Sequence, residues 1–304
     1  MCTTDKVKLK IAWIDDEPNW AYDILAKSLA LYLPEYNHKI CYTKATPREI
    51  IELAVEQSDI VVYMVPTLLD RYDRRDRTVV FLDGYRAFEV NENGFNHALT
   101  KASAVVTTNA QLTTKAVQTG ASVYWIPNGM KLPPKRLPKR HTPFVVGFAG
   151  NVSKHTHAEY KGINILKDAI ALHKDGDVVL QLATYGDKQL LPGNMGSCFY
   201  ERIDCLVSLS QNEGCSNVIM EAMSYSVPVI QTRVGFHGDM CIPGFNNAPV
   251  VRDAGVVAGA IDRLRTDKGF YNSLSRGGRA FAEQHHNIAK VAEEYRGMFN
   301  AILQ

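Results

Sequence analysis

Short apolar runs rich in Val and Ile recur along this chain, each followed by a stretch with helical periodicity, and that alternation leaves few folds open. Residues 60–65 (IVVYMV), 78–82 (TVVFL) and 104–107 (AVVT) show almost no polar face. As strands they must be covered on both sides, which is the condition of a parallel sheet flanked by helices. Further strands are expected at 7–14, 40–43 and 122–126, with helices from Pro18 to Leu33, from Pro47 to Gln57, and at 96–103 and 111–119. The alternation then breaks at KLPPKRLPKRH (131–141), where Lys131, Lys135, Arg136, Lys139 and Arg140 come with no acidic residue. It restarts with strands at 144–148, 178–183, 205–209 and 229–230 and helices at 162–173, 217–225, 253–265 and 288–302.

The expected organisation is therefore α/β, with two Rossmann-like, doubly wound parallel-sheet domains facing across a cleft. The boundaries are 1–130 for the N-terminal domain, 131–143 for a basic, Pro-rich linker and 144–304 for the C-terminal domain. The last helix is a candidate to pack back on the N-terminal domain. A length of 304 residues suits two such domains, and 46% hydrophobic with 22% charged residues is ordinary for a globular protein. That composition excludes a disordered tail, a fibrous repeat and a small disulfide scaffold. No apolar run approaches the ~18 residues of a membrane span. The opening residues MCTTDK lack the apolar core of a signal peptide, and six cysteines show no C-x-x-C pair. A reduced, cytoplasmic chain is expected.

The first strand runs into Asp15-Asp16-Glu17-Pro18, which looks like the acidic pair of a response-regulator receiver domain. The strand at 60–65 carries no Asp at its carboxyl end, so the phosphoacceptor is missing and that reading fails. The acidic trio is read instead as a helix cap.

The chemistry concentrates at 206–230, where a buried strand enters a loop of small residues and then a helix that is apolar almost all round. Such a loop lets backbone approach a ligand closely, and a helix start offers N–H groups to an anion. Glu221 is the lone carboxylate of its turn and must meet a donor. That donor is a structural Arg or backbone amide, or else a pair of ligand hydroxyls. His155 with His157, and His285 with His286, are read as solvated or capping histidines, and no metal site is expected. Cys215 is read as a small loop residue.

These residues resemble the family-4 retaining glycosyltransferases of GT-B fold. Glu213 and Glu221 have seven residues between them, an E-x7-E motif, with S-x-x-E-G before it and E-A-M-x-x-x-x-P-V-I after it. Pro127-Asn128-Gly129 matches the P-N-G signature, Gly147 and Gly150 the glycine turn, Lys161-Gly162 the K-G pair, and Val234-Gly235 a further family position. The resemblance is specific from about 120 to 240 and only topological before that. It implies that Glu213, with the amides of Gly214, Cys215 and Ser216, holds the donor sugar, next to Asn217. It implies that Glu221 binds the ribose hydroxyls and that Lys161 neutralises the diphosphate as it leaves. Gly150 and Asn151 would lie at the phosphates, and Thr184 with Tyr185 at the base. It also implies a retaining transfer from a nucleotide-diphosphate sugar, most simply a UDP-sugar, to an acceptor hydroxyl of a glycan, lipid or small molecule. The sugar nucleotide is a co-substrate; no cofactor and no metal are implied.

Three positions depart from the family. Asn151 stands where an Arg is usual, with Lys154 or His155 as candidate replacements. The acidic loop at Asp15 replaces a glycine-rich one. Asp83-Gly84 stands where the family often has a His, so Asp83 is either a catalytic-site contact to a sugar hydroxyl or a turn residue. On the acceptor side, Asp16, Trp20, Arg74 and Arg75 are candidates. With the linker cations, Arg74 and Arg75 form either a basic rim for DNA, as in an enzyme glycosylating 5-hydroxymethylpyrimidines of phage-like DNA, or a solvated turn paired with Asp70, Asp73 and Asp76. A non-enzymatic sugar-nucleotide-binding protein is the remaining alternative.

Overall fold

The strands without a polar face all pair in parallel, as burial on both sides requires. A computed structural model of the chain describes residues 8–69, 71–72, 76–84, 92, 96–97, 99–135, 140–173, 176–184 and 194–304. The chain divides into two compact units: residues up to Lys131 together with Asn287–Gln304, and Leu132–His286.

In the first unit, β1 (Lys10–Asp15), β2 (Asn37–Tyr42), β3 (Ile60–Tyr63), β4 (Thr78–Leu82), β5 (Ala104–Thr107) and β6 (Val123–Trp125) form one sheet in the order β2-β1-β3-β4-β5-β6. Helices α1 (Ala21–Tyr32), α2 (Arg48–Gln57) and α3 (Ala110–Gln118) connect them. Strand β1 pairs with β2 on one side and β3 on the other, so a switch point opens beyond Asp15. Helix α1 begins at Ala21, three residues later than the Pro18 start expected from the sequence, with Asn19 in a left-handed conformation at φ 67°. The anchor is Asp23, fully buried. It accepts from the Asn19 amide at 2.6 Å, Lys27 Nζ at 2.7 Å and Tyr42 Oη at 2.8 Å. Burial opposes ionisation of this carboxyl, but those three donors hold it below its ordinary range. The expected acidic cap is thus corrected: Asp16 and Glu17 pair with Lys44 Nζ, each at 2.9 Å.

The second unit repeats the topology. Its strands β7 (Phe144–Gly150), β8 (Val178–Thr184), β9 (Cys205–Ser208), β10 (Val229–Gln231) and β11 (Ala248–Pro249) run β11-β10-β9-β7-β8, with the switch point between β7 and β9. Its helices are α4 (His155–Lys161), α5 (Ile163–Ala171), α6 (Met195–Cys198), α7 (Asn217–Ser224), α8 (Gly235–Asp239), α9 (Ala254–Thr266) and α10 (Lys268–His285). The helix expected over 162–173 is α5, and α4, which the sequence reading lacks, precedes it; the two meet at Gly162, whose φ of 71° ends α4 and opens α5. Helix α10 is absent from the sequence expectations, because Gly269, Gly277 and Gly278 depress its propensity. Two of them are packing sites. A Cβ at Gly277 would collide with the Phe245 carbonyl oxygen, and one at Gly278 would meet Met223 at 3.3 Å. Buried Asp204 ties the chain before β7 to the sheet, accepting from the amides of His141 (2.8 Å) and Val145 (2.6 Å). No disulfide joins the described cysteines, and no helix among the described residues is long and apolar enough to cross a membrane.

Helix α11 (Ile288–Leu303) belongs to the first unit. Asn287 caps it, accepting from the Ala289 amide at 3.1 Å, and the Ile288 amide donates to the Met130 carbonyl at 3.0 Å. Val291, Tyr295 and Phe299 join Trp13, Leu29 and Leu33 in one core, with the Trp13 and Phe299 rings edge to face at 6.2 Å. Phe299→Ala is therefore expected to cost about 3–5 kcal/mol in urea unfolding. A loss below ~1 kcal/mol would show that α11 does not complete this core.

Candidate functional site

The switch point of the second sheet brings together groups that lie far apart in sequence. Gly150 ends β7 beside Thr184, its register partner at the end of β8. On the other side β9 runs out into 209–213, and Lys161 ends α4 against it. The approach is close because position 162 has no side chain: a Cβ there would stand 2.7 Å from Leu209 Cβ and 2.9 Å from its carbonyl oxygen. Two hydrogen bonds lock the elements, from the Gln211 amide to the Tyr160 carbonyl (3.1 Å) and from Tyr160 Oη to the Asn212 carbonyl (2.7 Å). Lys161 Nζ then lies 2.5 Å from Glu213 Oε1, which also accepts from Ser210 Oγ at 2.6 Å. The pair is partly exposed, Lys161 by 30% and Glu213 by 16%, so a ligand can reach both charges.

Gly235 supports the other side of the loop. Its φ is 63°, and a Cβ on it would collide with the Gly214 carbonyl oxygen; the Phe236 amide donates to that same oxygen at 2.8 Å. Gly214, Cys215 and Ser216 are buried as the chain turns into α7, with Ser216 at its N-cap position and Asn217 first in the helix. One turn on, Glu221 Oε2 accepts a 2.7 Å hydrogen bond from Tyr200 Oη, and Tyr200 stacks on Tyr225 with centroids 5.5 Å apart. Burial pushes the Glu221 carboxyl up to about 7, the Tyr200 bond opposing the rise. The donor required by the sequence is a tyrosine, neither the Arg nor the backbone amide considered.

Other sequence candidates are placed differently. Asn151 turns the chain after β7, its Oδ1 accepting from the Ser153 amide (3.0 Å) and Oγ (2.8 Å). Lys154 and His155 are exposed at the start of α4. Arg252, not singled out from the sequence, donates to the Glu159 carbonyl near the end of α4. In the first unit, Asp83 follows β4, with Oδ1 accepting from Thr108 Oγ1 at 2.7 Å and Oδ2 from Asn128 Nδ2 at 3.4 Å. Asp16 is paired with Lys44, and Trp20 is 41% exposed before α1. Arg74, Arg75 and Tyr185 lie outside the described residues, as do Asp70, Asp73, Arg136 and Lys139. One cluster escapes sequence reasoning: Cys215, His237 and His286 come together in the second unit although they are widely separated along the chain.

The Glu221 carboxyl carries a pH signature. Its pKa is higher folded than unfolded, so its contribution to stability is complete below about 4.5 and fades as pH rises through about 7. Glu221→Gln keeps an oxygen for Tyr200 and removes the titration. Over that window the wild-type chain is expected to lose stability relative to the variant, by at most about 1.4 kcal/mol per pH unit. Parallel unfolding curves for the two across pH would reject the shift.

Comparison with known proteins bears on the second unit first. Residues 143–267 match the family described as "Glycosyl transferases group 1". The capsular polysaccharide biosynthesis glycosyltransferase CapM of Staphylococcus aureus is 29% identical over 107 residues, which is 35% of this chain and 28% of that protein's length. Among solved structures, HepE of Anabaena in complex with UDP-glucose superposes with a TM-score of 0.72, at 17% identity, over 96% of this chain and 100% of that one. Sucrose-phosphate synthase of Thermosynechococcus elongatus gives 0.71 at 16% identity, again over 96% and 100%. The chain thus has the two-domain Rossmann-like fold of these solved structures, and its residues 143–267 match group 1 of the glycosyl transferases.

Proposed function

We propose that the chain transfers a sugar from a UDP-sugar to an acceptor hydroxyl, with retention of configuration. The observation that carries this reading is the Lys161–Glu213–Ser210 cluster at the switch point of the second sheet. Glu213 accepts hydrogen bonds from the donor sugar's hydroxyls, while the amides around Gly214–Ser216 and Asn217 hold the sugar. Without a donor, Glu213 keeps Lys161 in place. When the diphosphate binds, Nζ turns to it and stabilises the charge that develops as the glycosidic bond breaks. Lys161 and the amide groups at the start of α7 supply that positive charge, so the transfer needs no metal at the diphosphate. Gly150 and Asn151 flank the phosphates, and Thr184 lines the base pocket. Glu221 accepts from the ribose hydroxyls on Oε1, because Tyr200 takes Oε2. The acceptor side falls to the first unit, where Trp20 offers an exposed ring and Asp83 a carboxylate held by its own sheet.

The HepE complex with UDP-glucose makes that donor the first to try. UDP and UDP-glucose are expected to raise the melting temperature of the full chain without added metal. Lys161→Ala should weaken UDP binding by calorimetry about tenfold to a hundredfold, the loss of one charged hydrogen bond of about 1.5–3 kcal/mol. Glu213→Gln should leave UDP binding largely intact and abolish donor hydrolysis. Wild-type behaviour in both variants would overturn the site, and binding without hydrolysis or transfer would identify a sugar-nucleotide-binding protein instead of an enzyme.

A further inference from the structure

We infer that Cys215, His237 and His286 form a binding site for a zinc-type transition-metal ion inside the second unit. The three residues come from three elements: Cys215 from the loop after Glu213, His237 from α8, and His286 from the end of α10. Their ligand atoms all lie within 4.8 Å of one another, and the two Nε2 atoms are 3.0 Å apart. Exposure is 3%, 1% and 0%, so solvation does not account for these polar groups. The surroundings are aromatic, with Phe236 and Phe281 centred 5.3 and 5.6 Å from the His286 ring.

The donor set selects the ion. A thiolate with two imidazoles suits a borderline-soft cation, and the trio offers none of the oxygens that Mg²⁺ or Ca²⁺ require. With Zn–S near 2.3 Å and Zn–N near 2.0–2.1 Å, tetrahedral ligand atoms stand about 3.3–3.6 Å apart. The trio closes on an ion by side-chain adjustments of roughly an ångström or less. In the ion's absence, one imidazole donates a hydrogen bond to the other. When the ion binds, the thiol proton leaves to solvent and the imidazole that donated from Nε2 exchanges that proton for one on Nδ1, so that both Nε2 lone pairs turn to the metal. Three protein ligands leave a fourth position for water or another small ligand.

Placement gives the site its consequence. Cys215 lies two residues from Glu213, and the Gly214 carbonyl is already held by the Phe236 amide beside His237. A bound ion ties this loop to α8 and to the end of α10, fixing the backbone that carries Glu213. The site itself stands apart from the glycosyltransferase reading, because metal binding is measured without any sugar nucleotide.

The test is a cobalt(II) titration of the full chain after removal of metal with a chelator. One equivalent should bind, with the visible bands of tetrahedral cobalt and a near-ultraviolet thiolate charge-transfer band, and Zn²⁺ should displace it. Cys215→Ser should abolish the charge-transfer band and weaken binding about a hundredfold or more. Cys198→Ser, at a half-exposed cysteine outside the trio, should change neither. X-ray absorption of the wild-type zinc form supplies a readout that needs no variant, with one sulfur and at least two imidazole nitrogens expected around the ion. A wild-type chain with native circular dichroism that binds no cobalt, or a sulfur-free zinc shell, would overturn the inference and leave a hydrogen-bonded histidine pair.

Discussion

Two glycines with left-handed backbone press on the segment between β9 and α7 from different sides. Gly162 meets Leu209 where the strand ends, and Gly235 meets the carbonyls of Glu213 and Gly214. Neither contact has room for a Cβ, so any other residue at either position would push the loop out of place. The position of Glu213 is therefore set by backbone contact more than by the rotamer of a flexible side chain. Lys161 inherits the same constraint, since it precedes the glycine that lets α4 reach the strand end. An ion pair between two ordinary surface residues would be worth little. Here the geometry is imposed, and the pair's significance lies in where it holds two opposite charges.

The switch points of the two units handle charge in opposite ways. In the first unit Asp15 is fully buried, and burial pushes its carboxyl up to about 7; Oδ1 accepts from the Asp16 amide and Oδ2 has no partner among the described residues. Asp16 and Glu17 beside it share one cation, Lys44, which balances only one of their two charges. This strand end offers acidic groups and a single paired lysine, a poor setting for a diphosphate. The second unit places Lys161 and the start of α7 at its own strand ends, with the lysine partly open to solvent. Two copies of one topology thus divide along electrostatic lines among the described residues, and the seat proposed for the anionic half of a sugar nucleotide is the second.

How much of this is legible in the sequence depends on whether a constraint is local. Continuous Val and Ile runs identify buried parallel strands, and Lys161-Gly162 and Val234-Gly235 are legible because a left-handed turn demands glycine at a fixed place. The beginning of α1 is misleading because Pro18 and its acidic neighbours imitate a helix start, while the real anchor, Asp23, gathers donors from Asn19, Lys27 and Tyr42. Helix α10 is hidden by glycines whose function is tight packing against Phe245 and Met223. Tyr200 as the partner of Glu221, and the convergence of Cys215, His237 and His286, depend on tertiary packing alone. No spacing along the chain announces them.

The Pro127-Asn128-Gly129 segment shows what a short signature can mean physically. A Cβ at Gly129 would lie 2.9 Å from Val291 Cγ2 and 3.2 Å from Ile288 Cδ1, so the missing side chain is what admits α11 to the first core. Asn128 donates to Asp83, which also accepts from Thr108, so one carboxylate links the ends of β4, β5 and β6. The residue standing where the resembling family often has a His is therefore part of the sheet's own bonding. Its negative charge is felt nearby, adding to burial in raising the hydroxyl pKa values of Tyr22 and Tyr295. A carboxylate engaged in this way can orient a neighbouring hydroxyl, but it is poorly suited to exchange protons, since protonation would sacrifice an acceptor that two donors already use. In the proposed reading the chemistry of the chain is concentrated in the second unit, on the charges that the two left-handed glycines hold in place.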